Sequence, residues 1–297
     1  THHLEEADAL ARRVVVVDGT GVSLPDTPEN QQTWPQPGSQ KPGCGFPQAR
    51  LCACFCLQTG ALLSHRVSSI RDGELTLLRQ QHDAFAPGDI LLGDKGFCSF
   101  YDVWQFQEQG VDTVITLARR TPVEAASARA VLGPDDLLIT WPKPAWNQNL
   151  SYSREVWQSL PEQLELRQIK VTITAPGRRS ESFYLVTTLT DAARYPASDL
   201  ADLYCQRWEV ELFLRDIKTT LGMDVLRCRS PDMAKKEILM HFIAYNAIRL
   251  LMLEAAGTTG QTPRRLSFKG SVQALRQWEP QFNRAGDAQE QRRLLVT

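Results

Sequence analysis

Val14-Val15-Val16-Val17-Asp18-Gly19-Thr20 is a run of β-branched residues that meets an acid. Branching at Cβ restricts these side chains in a helix and suits them to a pleated sheet. The run shows no polar alternation, which predicts a strand buried on both faces, with Asp18 expected at its end. Ile90-Leu91-Leu92 is a second short run of the same kind, and it delivers Asp94.

Between these runs, residues 21–48 are rich in Pro, Gly, Gln and Asn. A long irregular loop is expected there, either touching substrate or disordered. Arg50 to Leu57 and Leu62 to Ser69 read as a hairpin about Gln58-Thr59-Gly60-Ala61. Glu74 to Phe85 has helical periodicity and stops at Pro87-Gly88. A helix from about Phe100 to Gln109 leads to a strand from Thr113 to Leu117, and residues 5–13 are a short charged helix candidate. Three strands in a meander, then strand, helix and strand, with acids closing the first and fourth strands, match by analogy a ribonuclease-H-like mixed sheet flanked by helices.

From residue 120 to 182 prolines and tryptophans accumulate among alternating stretches, which predicts a mainly β insertion between Asp94 and the helices that follow. Phe183 to Thr188 then returns to the parent sheet. After Ser198, read as a cap, a helix is expected over 199–221, and a buried packing helix over 232–255. The polar tail carries a short helical stretch at Val272 to Trp278. The expected division is 1–119 and 183–297 as two parts of one catalytic domain, with 120–182 as the insertion.

The chain has 297 residues, 42% hydrophobic and 23% charged, which is ordinary globular material. No uninterrupted apolar run approaches the roughly 18 residues of a membrane span, and the start, Thr1-His2-His3, has no leader pattern. A soluble cytoplasmic protein that engages no membrane is expected. The missing initiator Met suggests a fragment whose front part is left out. Seven cysteines without a C-x-x-C pair, three of them alternating as Cys52, Cys54 and Cys56, read as small buried hydrophobes in a reducing compartment. The net charge of −1 argues mildly against a DNA-binding role. Arg119-Arg120, Arg178-Arg179, Arg264-Arg265 and Arg292-Arg293 read either as solvated doublets or as phosphate contacts.

On an ideal helix of about 100° per residue, Arg207, Glu211 and Lys218 fall at about 300°, 340° and 320° from Tyr204. Leu203, Val210, Leu214, Ile217 and Leu221 occupy the adjoining stripe, at about 220° to 280°. Glu209 and Asp216 project away from it, so among these acids the geometry selects Glu211. A solvent-facing helix with an ordinary Arg207 to Glu211 pair is the plain alternative.

The spacing Y-x2-R-x3-E-x6-K at Tyr204, Arg207, Glu211 and Lys218 resembles the signature of bacterial transposases of the insertion-sequence-four family, which includes the transposase of transposon Tn-five. Val17-Asp18-Gly19-Thr20 and Gly93-Asp94-Lys95-Gly96-Phe97 resemble its two aspartate blocks. The resemblance spans roughly 14–255. It implies a DDE transposase in which Asp18, Asp94 and Glu211 hold two Mg²⁺ ions, with Mn²⁺ able to substitute. Such a site cleaves transposon ends and transfers the strand into target DNA. It also implies that Tyr204, Arg207 and Lys218 bind backbone phosphates, that the protein is a homodimer on DNA, and that it works at the bacterial nucleoid. Trp141 or Trp146 is a candidate for stacking a flipped base, or a core residue. Carboxylates suit the task because Mg²⁺ is hard and prefers oxygen. The rivals are a nuclease of the same fold without strand transfer, an inactive DNA-binding remnant, and a carboxylate-pair glycosidase, which leaves the Tyr, Arg and Lys stripe unexplained.

Overall fold

The structure, a computed structural model, describes residues 12–41, 43–117, 122–148, 150, 152–173, 181–287 and 289–290. In chain order the elements are β1 (Val14–Ser23), α1 (Pro28–Thr33), β2 (Gln48–Cys56), β3 (Leu62–Ser69), α2 (Glu74–Arg79), β4 (Ile90–Gly93), α3 (Phe100–Glu108), β5 (Asp112–Thr116) and β6 (Ala130–Gly133). There follow β7 (Asp136–Pro142), α4 (Arg154–Ser159), β8 (Gln163–Ile173), β9 (Glu181–Thr187), α5 (Ala197–Cys205), α6 (Glu209–Arg215), α7 (Pro231–Thr259) and α8 (Phe268–Phe282). The chain divides into two compact units, one built from the residues up to Asp18 with Glu74–Trp208, the other from Gly19–Gly73 with Glu209 onward.

In the first unit the strand order is β1-β4-β5-β9-β8-β7-β6. β1, β4 and β5 are parallel, with Val14 opposite Ile90 and Ile90 opposite Asp112, and every later pairing is antiparallel. Charges at the entry ends of the parallel strands pin that register. Arg13 forks onto Asp89, Nε to Oδ1 at 3.0 Å and a terminal nitrogen to Oδ2 at 2.5 Å, and Arg12 donates to Asp112 Oδ2 at 2.6 Å. Such bidentate and charge-assisted bonds are the strong kind. They hold the starts of β1, β4 and β5 level.

α3 crosses from β4 to β5 and buries Phe100, Val103 and Phe106. Its fully covered Asp102 takes both arms of Arg79 from α2, each at 2.7 Å. β6, β7 and β8 extend the parent sheet through β9, so the expected β insertion shares one core with it: Phe100, Ile115, Ile139, Trp141, Leu166 and Val186 pack together.

In the second unit the β2–β3 hairpin turns at Gly60, whose φ of 70° favours glycine. α7 grips that turn. Tyr245 donates its hydroxyl to the Gly60 carbonyl at 2.6 Å, and the Asn246 amide both accepts from Leu62 N at 2.9 Å and donates to Leu62 O at 2.8 Å. Cys52, Cys54 and Cys56 are buried, as expected of small hydrophobes.

Several sequence expectations are corrected. Asp18 does not end its strand, because β1 runs on to Ser23. Residues 21–48 are an irregular loop only in part: β1 extends into them and α1 follows, capped by the Thr27 side chain with Pro28 in its first turn, while 34–41 and 43–47 carry neither helix nor strand. The helix expected over Glu74 to Phe85 is α2 followed by a separate 3₁₀ turn, His82–Ala84. The helix expected over 199–221 is α5, a 3₁₀ turn at Gln206–Trp208, α6 and a π turn at Asp216–Thr220, and its cap is Pro196 rather than Ser198. α8 is longer than the stretch Val272 to Trp278. α7 is not a buried packing helix; it buries one stripe and leaves Leu239, Met240, Ile243, Leu250 and Leu253 exposed. α7 is long and apolar enough in composition to cross a membrane, although His241, Asn246, Arg249 and Glu254 interrupt it, so that no uninterrupted apolar run of that length occurs in it. Most of the helix candidate at 5–13, and the doublets Arg119-Arg120, Arg178-Arg179 and Arg292-Arg293, lie outside the described residues.

Candidate active site

Parallel pairing runs Val14, Val15 and Val16 against Ile90, Leu91 and Leu92. Carried two residues further, past the end of β4 at Gly93, this register brings Asp18 level with Asp94. The next pair of strands matches Gly93 with Ile115, which sets Asp94 beside Thr116. Asp18 within β1, Asp94 just past β4 and Thr116 at the end of β5 therefore stand level across three parallel strands, where β4 and β5 end. Open α/β sheets commonly bind ligands at this end.

Each member of the row is held locally. Asp94 caps the 3₁₀ turn Lys95–Phe97, its Oδ1 accepting from Gly96 N at 2.7 Å, while its residue as a whole is half-buried. Asp18 is half-buried where the valine run ends. Thr116 shares a short hydrogen bond with the hydroxyl of Tyr204. Tyr204 is buried, with its ring tilted on Phe183 at 5.5 Å and the Arg207 guanidinium 5.9 Å from its centroid. Burial pushes the Tyr204 hydroxyl above its ordinary range; the Thr116 bond and Arg207 oppose this, and the charge of Asp94 adds to it. That electrostatic reach groups Tyr204, Arg207 and Asp94 at one end of the first unit.

The remaining signature residues belong to the second unit. Glu211 is half-buried on α6, beside the buried Val210, Phe213 and Leu214. Lys218 lies in the π turn and donates to Thr20 Oγ1 at 3.1 Å and to the Gly21 carbonyl at 2.9 Å. Turns of this wide kind recur at functional positions. A 3₁₀ turn advances about 120° per residue rather than 100°, so one ideal helix no longer relates Tyr204, Arg207, Glu211 and Lys218. Among the described residues, no group of three or more His, Cys, Asp or Glu side chains stands close enough to hold a metal ion. The adjacent Asp18 and Asp94 positions still offer the hard oxygen donors that Mg²⁺ takes, one or two acids being its usual protein share.

Of the two tryptophans considered for base stacking, Trp141 is a core residue, edge-on to Phe100 at 5.9 Å. Trp146 is half-buried and edge-on to Trp157 at 6.1 Å. Sequence reasoning missed Thr116, whose only signal was its position in the β5 register. It also missed a cleft of about 480 Å³ in the second unit, bordered by Arg215, Asp216, Arg249, Arg264, Lys269 and Arg276. These residues are spread over three helices, the π turn and a 3₁₀ turn, and nothing in their spacing joins them.

The family described as "Transposase DDE domain" matches residues 9–247. The transposase InsG of insertion sequence element IS4 from Escherichia coli strain K12 is 27% identical over 263 residues, which is 87% of this chain and 56% of that protein. The transposase of insertion sequence element IS421 from Escherichia coli is 37% identical over 60 residues, 20% of this chain and 16% of that protein. The chain thus spans about half the length of the first of these relatives and less of the second. Among solved structures, a piggyBac transposase in a synaptic complex with hairpin DNA shares the fold, with a TM-score of 0.52 at 10% identity over 88% of this chain and 51% of that one.

Proposed function

The chain belongs to the transposase DDE domain family, and on that premise we propose that it cleaves DNA at transposon ends and joins the cut strand to target DNA. The observation that carries this reading is the parallel register of Val14, Val15 and Val16 with Ile90, Leu91 and Leu92, which, carried past the end of β4, brings Asp18 level with Asp94. Asp18, Asp94 and Glu211 are the proposed ligands of two Mg²⁺ ions, which Mn²⁺ can replace. Bound there, such ions supply activation of an oxygen nucleophile and neutralisation of charge on the phosphoryl group.

The chain's own residues do the positioning. Arg207 offers a planar fork that matches a backbone phosphate, and Lys218 a point charge. Tyr204 reaches a terminal phosphate only by sharing or releasing its bond to Thr116. Asp18 is borne by β1 and Asp94 follows directly on β4, and a rigid sheet beneath them suits a step that depends on in-line alignment. In this reading 1–119 and 183–297 form the catalytic domain, 120–182 widens its sheet, and Trp146 is the better placed of the two tryptophans to stack a base. The proposed partners are transposon ends and target DNA, held by a homodimer at the nucleoid in the cytoplasm.

The test is Mg²⁺-dependent nicking and strand transfer on a plasmid carrying the element's own ends. Asp18→Asn or Asp94→Asn is expected to lower nicking by about 1,000-fold or more, the scale on which loss of a transition-state electrostatic contact acts. Mn²⁺ binding, followed by electron spin resonance, should weaken in the same variants while their unfolding midpoints stay put. Nicking retained by either variant removes that acid from the metal site. Nicking without joined product reduces the activity to that of a nuclease.

A further inference from the structure

α7 carries two stripes on opposite sides. One is Ala234, Ile238, Phe242, Tyr245, Arg249, Met252 and Ala256, all buried in the second unit. The other is Lys236, Met240, Ile243, Ala247, Leu250 and Glu254, all exposed. Its steps of four, three, four, three and four residues are those of a coiled-coil seam. Met240 is 61% exposed, Ile243 52% and Leu250 55%. Leu239 and Leu253 add exposed apolar surface beside them. At 1.5 Å per residue the seam runs for about 27 Å, and a continuous apolar strip of that kind marks an interaction surface.

We propose that two copies of this chain pair antiparallel along this seam. The choice of occupant comes from its symmetry. Lys236 and Glu254 lie equally far on either side of Tyr245, as do Met240 and Leu250, and Ile243 and Ala247. Antiparallel pairing centred there sets Lys236 opposite the partner's Glu254, Met240 opposite the partner's Leu250, and bulky Ile243 opposite the partner's small Ala247. Both ends then close on opposite charges, and the middle interleaves large with small. Parallel pairing would set lysine against lysine and glutamate against glutamate, which is repulsive. A lipid surface is the lesser fit: the helix is sufficiently apolar in composition, yet its opposite stripe is already covered, so it has no lipid-facing circumference. The inference rests on α7 alone and is independent of the catalytic reading.

Sedimentation velocity without DNA or divalent metal tests it, over protein concentrations from about 1 to 100 µM, a range that spans weak and transient interfaces. A concentration-dependent dimer is expected. Ile243→Lys should abolish it, and Lys236→Glu alone should weaken it by about tenfold, a typical cost for a like-charge contact. The double exchange Lys236→Glu with Glu254→Lys should restore it. All three sites are solvent-facing, so unfolding midpoints should stay near that of the parent, and the two charge variants keep the test alive if Ile243→Lys folds poorly. A parent protein that stays monomeric at about 100 µM overturns the proposal, as does a dimer indifferent to the charge exchange. Binding of α7 to phosphatidylglycerol vesicles without self-association overturns it in favour of a membrane.

Discussion

Each compact unit buries an arginine, and the two are held on different terms. Arg167, on β8 of the first unit, is fully covered and surrounded by oxygen: Nε meets Asp136 Oδ1 at 2.7 Å, one terminal nitrogen meets Oδ2 at 2.5 Å, and the other donates to the Tyr195 carbonyl at 2.6 Å. Arg249, on α7 of the second unit, has one carboxylate at 3.0 Å and the Tyr245 hydroxyl at 2.9 Å. Its guanidinium carbon otherwise lies 4.9 to 5.1 Å from the ring centroids of Phe213, Phe268 and Tyr245, at the edge of the open cleft. A ladder of strands can bring a carboxylate squarely onto a buried guanidinium. A helical segment that changes pitch leaves a looser cage of rings, and this is also where Glu211 and Lys218 sit.

The contrast predicts a ranking. Asp136→Ala strips Arg167 of its fork inside a closed core and is expected to cost about 3–5 kcal/mol, the range for an orphaned buried charge. Urea unfolding measures it. Asp216→Ala should cost less, about 2 kcal/mol, because the rings still hold Arg249 and the cleft admits water; equal losses would erase the distinction between the two cages. Burial also pushes the Asp216 carboxyl up more than Arg249 pulls it down.

The smallest effect concerns His65 in the second unit, 4.4 Å from the Phe242 ring and kept neutral by burial, with Arg66 adding repulsion. Its folded pKa lies below its unfolded value of about 6.5, so the unfolded chain binds the proton more readily. Stability is then complete above about pH 6.5 and falls as the pH drops through that window. His65→Gln should flatten the slope; an unchanged slope between about pH 5 and 7 would show that His65 stays solvated.

Much of the first unit was legible because its signals are local. Four valines in a row can only be a doubly covered strand, and Ile90-Leu91-Leu92 before Asp94 repeats the pattern. The fold class followed from the order of such runs. The α1 helix was legible and overlooked: Thr27-Pro28-Glu29 carries a cap, a first-turn proline and an acid, and the surrounding composition masked it. The interruptions of the helical run at 206–208 and 216–220 were not legible. Gln206-Arg207-Trp208 and Asp216 to Thr220 contain no glycine or proline to announce a change of pitch. What accompanies the second change is the bond from Lys218 to Thr20 and Gly21, partners almost two hundred residues away.

The sequence by itself determined that an acid follows each buried apolar run, and the spacing of the Tyr204, Arg207, Glu211 and Lys218 signature, because hydrophobic period and residue type are properties of neighbours along the chain. Only the tertiary structure decided that the strands before Asp18 and Asp94 pair in parallel, that Thr116 holds Tyr204, and that α7 keeps one apolar stripe bare. Register depends on where Arg12 and Arg13 find Asp89 and Asp112, and burial depends on what packs above a residue. Both are set by contacts between segments far apart in sequence, which no local pattern encodes.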